Sequence, residues 1–197
     1  MPVIYYVRHG ETDFNVEQRL QGRRDTLLNA RGRLQARHCG NLLRELFARD
    51  QCRAENMSYM ASPLQRARET MHILRETLGL DPRAYDLDPR LMEISYGDWE
   101  GFTLPEIEAR TPGVLAQRES DKWDFAPPNG ENYRELTARI GAWYAALTRD
   151  TVVAGHGGGA RALLTLFELL PREEATHEQI LQGVVYVFSD GTMDCYS

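Results

Sequence analysis

The chain is almost without lysine: of its 23 basic residues only Lys122 is one, and acidic residues outnumber basic ones for a net charge of −6. A nucleic-acid or anionic-membrane surface normally carries a basic excess or patch, so neither is an expected partner. The arginine bias carries no functional meaning by itself, and each arginine has to be argued by position. Cysteine is scarce too. Cys39, Cys52 and Cys195 are odd in number and lack metal-ligand spacing, which argues against a disulfide framework and for reduced thiols in a cytoplasmic protein. The longest apolar run, ALLTLFELL at residues 162–170, is about half of the roughly 20 residues that a membrane-spanning helix needs. No basic segment leads into an apolar stretch near the N-terminus. Internal repeats, low-complexity tracts and convincing linkers are also missing. At 197 residues the expectation is one domain over residues 1–197, soluble and cytoplasmic, with a small molecule as partner.

What is present alternates between two periods. Val3–Val7 is apolar at every position, the pattern of a strand covered on both faces, and Met57–Ala61 and Thr151–Ala154 read similarly. Between them, Leu64, Ala67, Met71, Leu74 and Leu78 recur at helical spacing. Ser62-Pro63-Leu64-Gln65 offers that helix an N-cap, a proline at its first position and a capping-box glutamine. Asn29 caps a helix over 30–49, Asn132 and Glu135 pair at the start of one over 132–147, and Gly158–Leu170 is a further helix directly after the third strand. Asp190-Gly191 turns a terminal hairpin between 183–189 and 193–196. Its outer edge makes a homodimer possible without specifying one. The pattern weakens between Glu93 and Asn132, and residues from about 101 to 132 read as a cap-like insertion. The fold class is α/β: a mainly parallel central sheet flanked by helices in three α/β/α layers.

Three predicted strand ends each deliver a basic side chain: Arg8 and His9, then Arg66 beyond Ser62, then His156. Ligands of open α/β sheets bind at the carboxyl ends of strands. Arg66 stands in the first turn of its helix, where the helix dipole disfavours a cation unless an anion is bound. The glycines after His156 open a helix N-terminus, whose free N–H groups suit phosphate or carboxylate. Two histidines among such donors permit phosphoryl transfer to nitrogen, with positive groups stabilising charge on the equatorial oxygens. Competing chemistries fail on spacing. GHGGG has no Gly-x-Ser-x-Gly elbow to serve, Cys39 to Arg44 is one residue short of a cysteine phosphatase step, and Asp86-Leu87-Asp88 lacks the context of an aspartyl phosphotransferase.

At this point the chain resembles the histidine phosphatase superfamily in its phosphoglycerate-mutase-like branch. The blocks are RHGETDFN (8–15), RLQGRRDTLLNARGRLQA (19–36), SPLQRARET (62–70), LMEISYGDWEG (91–101), PNGEN (128–132) and GHGGGAR (155–161). The resemblance implies a phosphoglycerate-mutase-like fold and a metal-independent, cofactor-free phosphomonoester hydrolase of the histidine acid type. It makes His9 the nucleophile, has Arg8, Arg66 and His156 hold the phosphoryl oxygens, and has Asn15 and the backbone of Gly157 assist. Glu93 corresponds to the proton donor, which then helps to activate water. Gln21, with Gly22 beside it, is a substrate contact on resemblance alone. Trp99 and Tyr96 are expected to pack the cap, and Arg23 and Arg24 either meet a second anionic group or are solvated. Phe14, Asn29 and Asn132 depart from the commonest family pattern, and Asn132 leaves the leaving-group pocket undefined. A cofactor-dependent phosphoglycerate mutase is the alternative activity, and an inactive phosphoester-binding module a more distant one. The YGDWEG block and the short stretch between Glu93 and His156 favour the hydrolase.

Overall fold

A computed structural model describes residues 2–197. Six strands form one sheet in the order β3-β2-β4-β1-β5-β6: β1 Ile4–Arg8, β2 Ser58–Ala61, β3 Asp86–Leu87, β4 Thr151–Gly155, β5 Val185–Ser189 and β6 Thr192–Tyr196. The first four run parallel, and β5 and β6 close one side as an antiparallel hairpin. Its turn places Asp190 and Gly191 at positive φ, the conformation that a tight two-residue hairpin turn requires. The two-residue β3 gave no sequence signal, because both its side chains are exposed and show no alternation.

The alternation of side chains along each strand splits the core in two. Ile4, Tyr6 and Val153 face one layer, and Tyr5, Val7, Val152 and Ala154 face the other. α1 Asp13–Val16 follows β1, and α2 Ala30–Arg49 and α3 Gln65–Thr77 cover the second face. α4 Leu104–Arg110 and α5 Val114–Ser120 occupy the segment read as a cap. α6 Tyr133–Tyr144 and α7 Gly157–Leu166 cover the first face, and α8 Arg172–Ala175 packs beside α7. Trp143 of α6 is fully buried against this layer, and a side chain of that size stabilises by about 2–3 kcal/mol. The Asn132/Glu135 capping box forms as expected, with Glu135 N–H donating to Asn132 Oδ1 at 2.9 Å, a contribution of about 1 kcal/mol.

Several expected boundaries differ: α6 ends at Tyr144 rather than at 147, and the first hairpin strand begins at Val185 rather than at 183. Ser62 does not cap α3: Leu64 holds the cap position without a side-chain bond, and the Asp25 carboxylate accepts from Gln65 N–H at 2.6 Å from another part of the chain. α7 ends at Leu166 rather than Leu170, because Glu168 turns into the left-handed region at φ 55°.

Candidate active site

Register brings the two histidines together. Arg8 of β1 lies opposite Gly155 of β4, so the next residue of each strand is a histidine, and the ring centroids of His9 and His156 stand 5.2 Å apart. On the other side of β4, Ala61 pairs with Ala154, which sets Ser62 beside the same strand end. A buried tyrosine fixes this geometry from below. The Tyr6 hydroxyl accepts from His156 N–H and donates to His156 C=O, each at 2.8 Å. It fits because Gly155 and Gly159 lack the Cβ atoms that would collide with its ring and hydroxyl.

His9 is buried, and its Nδ1 lies 2.8 Å from the Gly10 carbonyl. A carbonyl only accepts, so Nδ1 carries the hydrogen and Nε2 keeps its lone pair. The Arg66 Nε–H donates to that lone pair at 3.2 Å, while its Nη1 and Nη2 donate to the carbonyls of Arg24 and Gly22 at 2.8 and 2.7 Å. Arg66 is wholly buried, and burial pulls its guanidinium down to about 10. It remains charged at neutral pH. Both histidines are held well below the ordinary 6.5, chiefly by burial and then by the Arg66 charge, so both rings are neutral at pH 7. In the unfolded chain the same rings protonate near 6.5, so below that value the unfolded state binds more protons than the folded one. The stability conferred by two neutral rings is therefore complete above about pH 6.5 and declines as pH falls through it. Urea midpoints are expected to be lower at about pH 5.5 than at about 7.5, with a smaller difference in a His9→Asn variant.

His156 Nε2 meets Ser62 Oγ at 2.8 Å, and the same hydroxyl accepts from Leu64 N–H at 3.3 Å. His156 Nδ1 is buried without a partner. If Ser62 donates to Nε2, then Nδ1 carries the hydrogen and is a free donor, the form that a bound anion selects. Ser62 thus positions His156, a role that its look as a helix cap concealed. Ser62→Ala is expected to lower kcat/KM about 10-fold, as loss of an orienting partner commonly does. Nitrogen NMR of the His156 ring should show the tautomers mixing. An unchanged ring spectrum would remove the role.

A cavity of about 230 Å³ opens above this pair, lined by Arg8, His9, Asn15, Gln21, Gly22, Arg66, Glu93 and Gly157 among others. All the residues expected at the site except fully buried His156 line it, and His156 packs directly against His9. Asn15 Oδ1 accepts from Thr12 N–H, Thr12 Oγ1 and Gln182 Nε2, which leaves its NH2 group as an available donor. Gln21 Oε1 accepts from the Thr26 hydroxyl at 2.7 Å and lies 3.0 Å from the Thr12 hydroxyl, whose one hydrogen it shares with Asn15 Oδ1. Glu93 accepts from Gly158 N–H at 3.1 Å, and a Cβ at Gly158 would strike its Oε1.

Some side chains differ from expectation. Trp99 does pack the cap, against Phe125 at 5.5 Å, but Tyr96 lines the cavity. Arg23 reaches Glu131 and Glu100 outside the cavity, and Arg24 offers its carbonyl to Arg66. Asn132 serves as a helix cap. Arg161 and Gln182 are not singled out from sequence, and Ser62 is read there only as a helix cap. Arg161 stood in the GHGGGAR block without a role, and Gln182 lies in a loop that carries no motif. A second cleft, lined by Tyr59, Arg75, Tyr85, Asp86 and Arg149 among others, lies away from both histidines.

Fold and site together define an α/β protein of the phosphoryl-handling kind, with an unprotonated imidazole nitrogen at the centre of a ring of guanidinium and N–H donors. The chain belongs to the histidine phosphatase superfamily, branch 1, whose sequence pattern matches residues 4–191. It is 35% identical over 182 residues to glucosyl-3-phosphoglycerate phosphatase of Mycobacterium tuberculosis, covering 85% of this chain and 76% of that protein. It is 30% identical over 200 residues to the 2,3-bisphosphoglycerate-dependent phosphoglycerate mutase of Bartonella henselae, covering 96% and 94%. The solved structure of a mycobacterial glucosyl-3-phosphoglycerate phosphatase superposes with a TM-score of 0.79 at 28% identity, covering 94% of this chain and 89% of that one. Among the described residues no helix is long and apolar enough to cross a membrane.

Proposed function

We propose that the protein is a metal-independent phosphomonoester hydrolase working through phosphohistidine at His9. The observation that carries this reading is the lone pair on His9 Nε2, held by the Gly10 carbonyl and set among Arg66, Arg8 and His156. Nε2 attacks phosphorus in line with the ester oxygen. The P–O bond breaks as the N–P bond forms, and the leaving alkoxide takes the proton of Glu93. Water then attacks phosphorus while the Glu93 carboxylate takes its proton, which breaks the N–P bond, releases inorganic phosphate and restores both residues. Arg8, Arg66, the Asn15 amide, His156 Nδ1–H and Gly157 N–H supply the donors around the equatorial oxygens. Arg66 Nε exchanges its bond to Nε2 for one to a phosphoryl oxygen.

The mutase alternative is the same first half followed by transfer to another hydroxyl. A short segment between Glu93 and His156 does not separate the two activities, since the Bartonella mutase matches along nearly its whole length. The similarity to phosphatases at 35% identity supports hydrolysis. Phosphate release from a panel of phosphomonoesters in excess EDTA tests the reading. EDTA-resistant release, with an acid-labile phosphoprotein trapped on rapid quenching, is expected. Isomerisation of 3-phosphoglycerate that outpaces phosphate release would overturn it in favour of the mutase.

A further inference from the structure

Arg161 enters the cavity from α7, five residues beyond His156, and has no part in the steps above. Its Nε donates to the Glu178 carbonyl at 2.8 Å and its Nη1 to the Tyr133 hydroxyl at 3.2 Å. Neither partner is charged. Arg19, which also lines the cavity, is paired with both Glu17 and Glu106, whereas among the described residues Arg8, Arg66 and Arg161 have no carboxylate within ion-pair distance. Arg161 Nη1 and Arg8 Nε converge: a Cβ on Gly157 would stand 3.5 Å from the first and 3.8 Å from the second. Arg8 Nε is buried without a hydrogen-bond partner, although Arg8 Nη1 is anchored on the Ile180 carbonyl. A buried N–H left unpaired costs roughly 1–3 kcal/mol, and a ligand oxygen at this point would recover it.

Charge balance points the same way. Glu93 is the one carboxylate among the residues lining the cavity. With Glu93 ionised, the three unpaired guanidinium groups leave two net positive charges, the match for a phosphomonoester dianion. The acid step requires Glu93 to be neutral, and one positive charge is then left over. Counted over the lining groups that have no ion-pair partner, and so leaving aside Arg19 with its two carboxylates, the reactive form has room for one further negative charge on the substrate.

We propose that Arg161, together with Arg8 Nε, forms a second anion subsite beside the phosphoryl pocket, and that the leaving group of the preferred phosphomonoester carries a carboxylate. The inference rests on the hydrolase reading. The closeness of Arg161 Nη1 and Arg8 Nε to Gly157, 3.5 and 3.8 Å from the place of its Cβ, puts that carboxylate near the phosphoryl group.

The test compares 3-phosphoglycerate with glycerol 3-phosphate, which differ only in a carboxylate against a hydroxymethyl group. The wild-type protein should favour 3-phosphoglycerate by about 10-fold or more in kcat/KM, the size of effect expected of one charge-assisted contact. Arg161→Gln should collapse that ratio to within about 3-fold, chiefly through KM for the carboxylate ester. Arg161→Lys, which keeps the charge, should retain an intermediate ratio and carries the test where the glutamine variant fails to fold. Equal losses on both esters, or no wild-type preference, would overturn the subsite. Absence of phosphate release from both esters and from the wider panel would instead sink the hydrolase reading. Calorimetric binding of the two esters to His9→Asn, with and without Arg161→Gln, then decides the subsite separately: it stands if 3-phosphoglycerate alone loses affinity and falls if both or neither do.

Discussion

Replacing His9 by alanine should reduce phosphate release by about 10³-fold or more and abolish the trapped phosphoprotein, the scale expected when a covalent nucleophile is deleted. No other described side chain can take its place. His156 offers an imidazole 5.2 Å away, but its Nε2 is engaged by Ser62 and its ring is fully buried. Water attacking directly would still benefit from the arginines, which sets the residual rate. The variant gives up the bond to the Gly10 carbonyl and the one from Arg66, a stability loss of about 1–3 kcal/mol that leaves most domains folded. Circular dichroism and a thermal melt on the same preparation separate lost chemistry from lost structure. A folded variant retaining a tenth of wild-type release would remove His9 from the nucleophilic role.

Glu93→Gln should show a different signature. Its Oε1 can still accept from Gly158 N–H, as the glutamate does at 3.1 Å, so the pocket keeps its shape while the transferable proton is lost. Esters of alcohols, whose alkoxides are poor leaving groups, should lose about 10² to 10⁴ in kcat. An aryl ester with a stable leaving anion does not need the proton and should lose far less in the first step. The measurement is the ratio of the two losses, read from burst and single-turnover kinetics with glycerol 3-phosphate and p-nitrophenyl phosphate. Equal losses would mean that Glu93 holds the pocket together and does not act as the acid.

Much of this site was legible because its elements obey local rules. β1 and β4 are covered on both faces, so each is an unbroken apolar run, and the polar residues that end them stand out. The Asn132/Glu135 pair announces α6 within four residues of sequence, whereas the equivalent Thr103/Glu106 box of α4 lies in the stretch read only as a cap-like insertion. What escaped is long-range. Ser62-Pro63-Leu64-Gln65 satisfies every local rule for a helix start, yet the serine hydroxyl, besides its bond from Leu64 N–H, meets a histidine 94 positions away, and the Gln65 N–H that opens the helix donates to Asp25. Tyr96 and Trp99 sit in the same short turn and look alike in sequence, but one lines the cavity and the other stacks in the cap. Arg161 falls on the first turns of a helix whose stripe is read from its leucines, and nothing local says that its guanidinium points toward Arg8. Propensity and periodicity describe an element's own neighbours, and these positions are fixed by contacts between elements.

The tyrosine beneath the second histidine has a consequence for how the sequence can drift. Its hydroxyl occupies space that Gly155 and Gly159 leave open, and it satisfies both backbone groups of His156. Any side chain at either glycine collides with the hydroxyl, and a smaller residue in place of Tyr6 abandons two buried polar groups at once. Each single change is therefore rejected, although a joint change that refills the volume and re-pairs the backbone is physically open. Three positions, two of them about 150 residues from the first, are bound into one heritable unit, and descendants of this chain can alter that unit only by passing through a defective intermediate or by changing its members together.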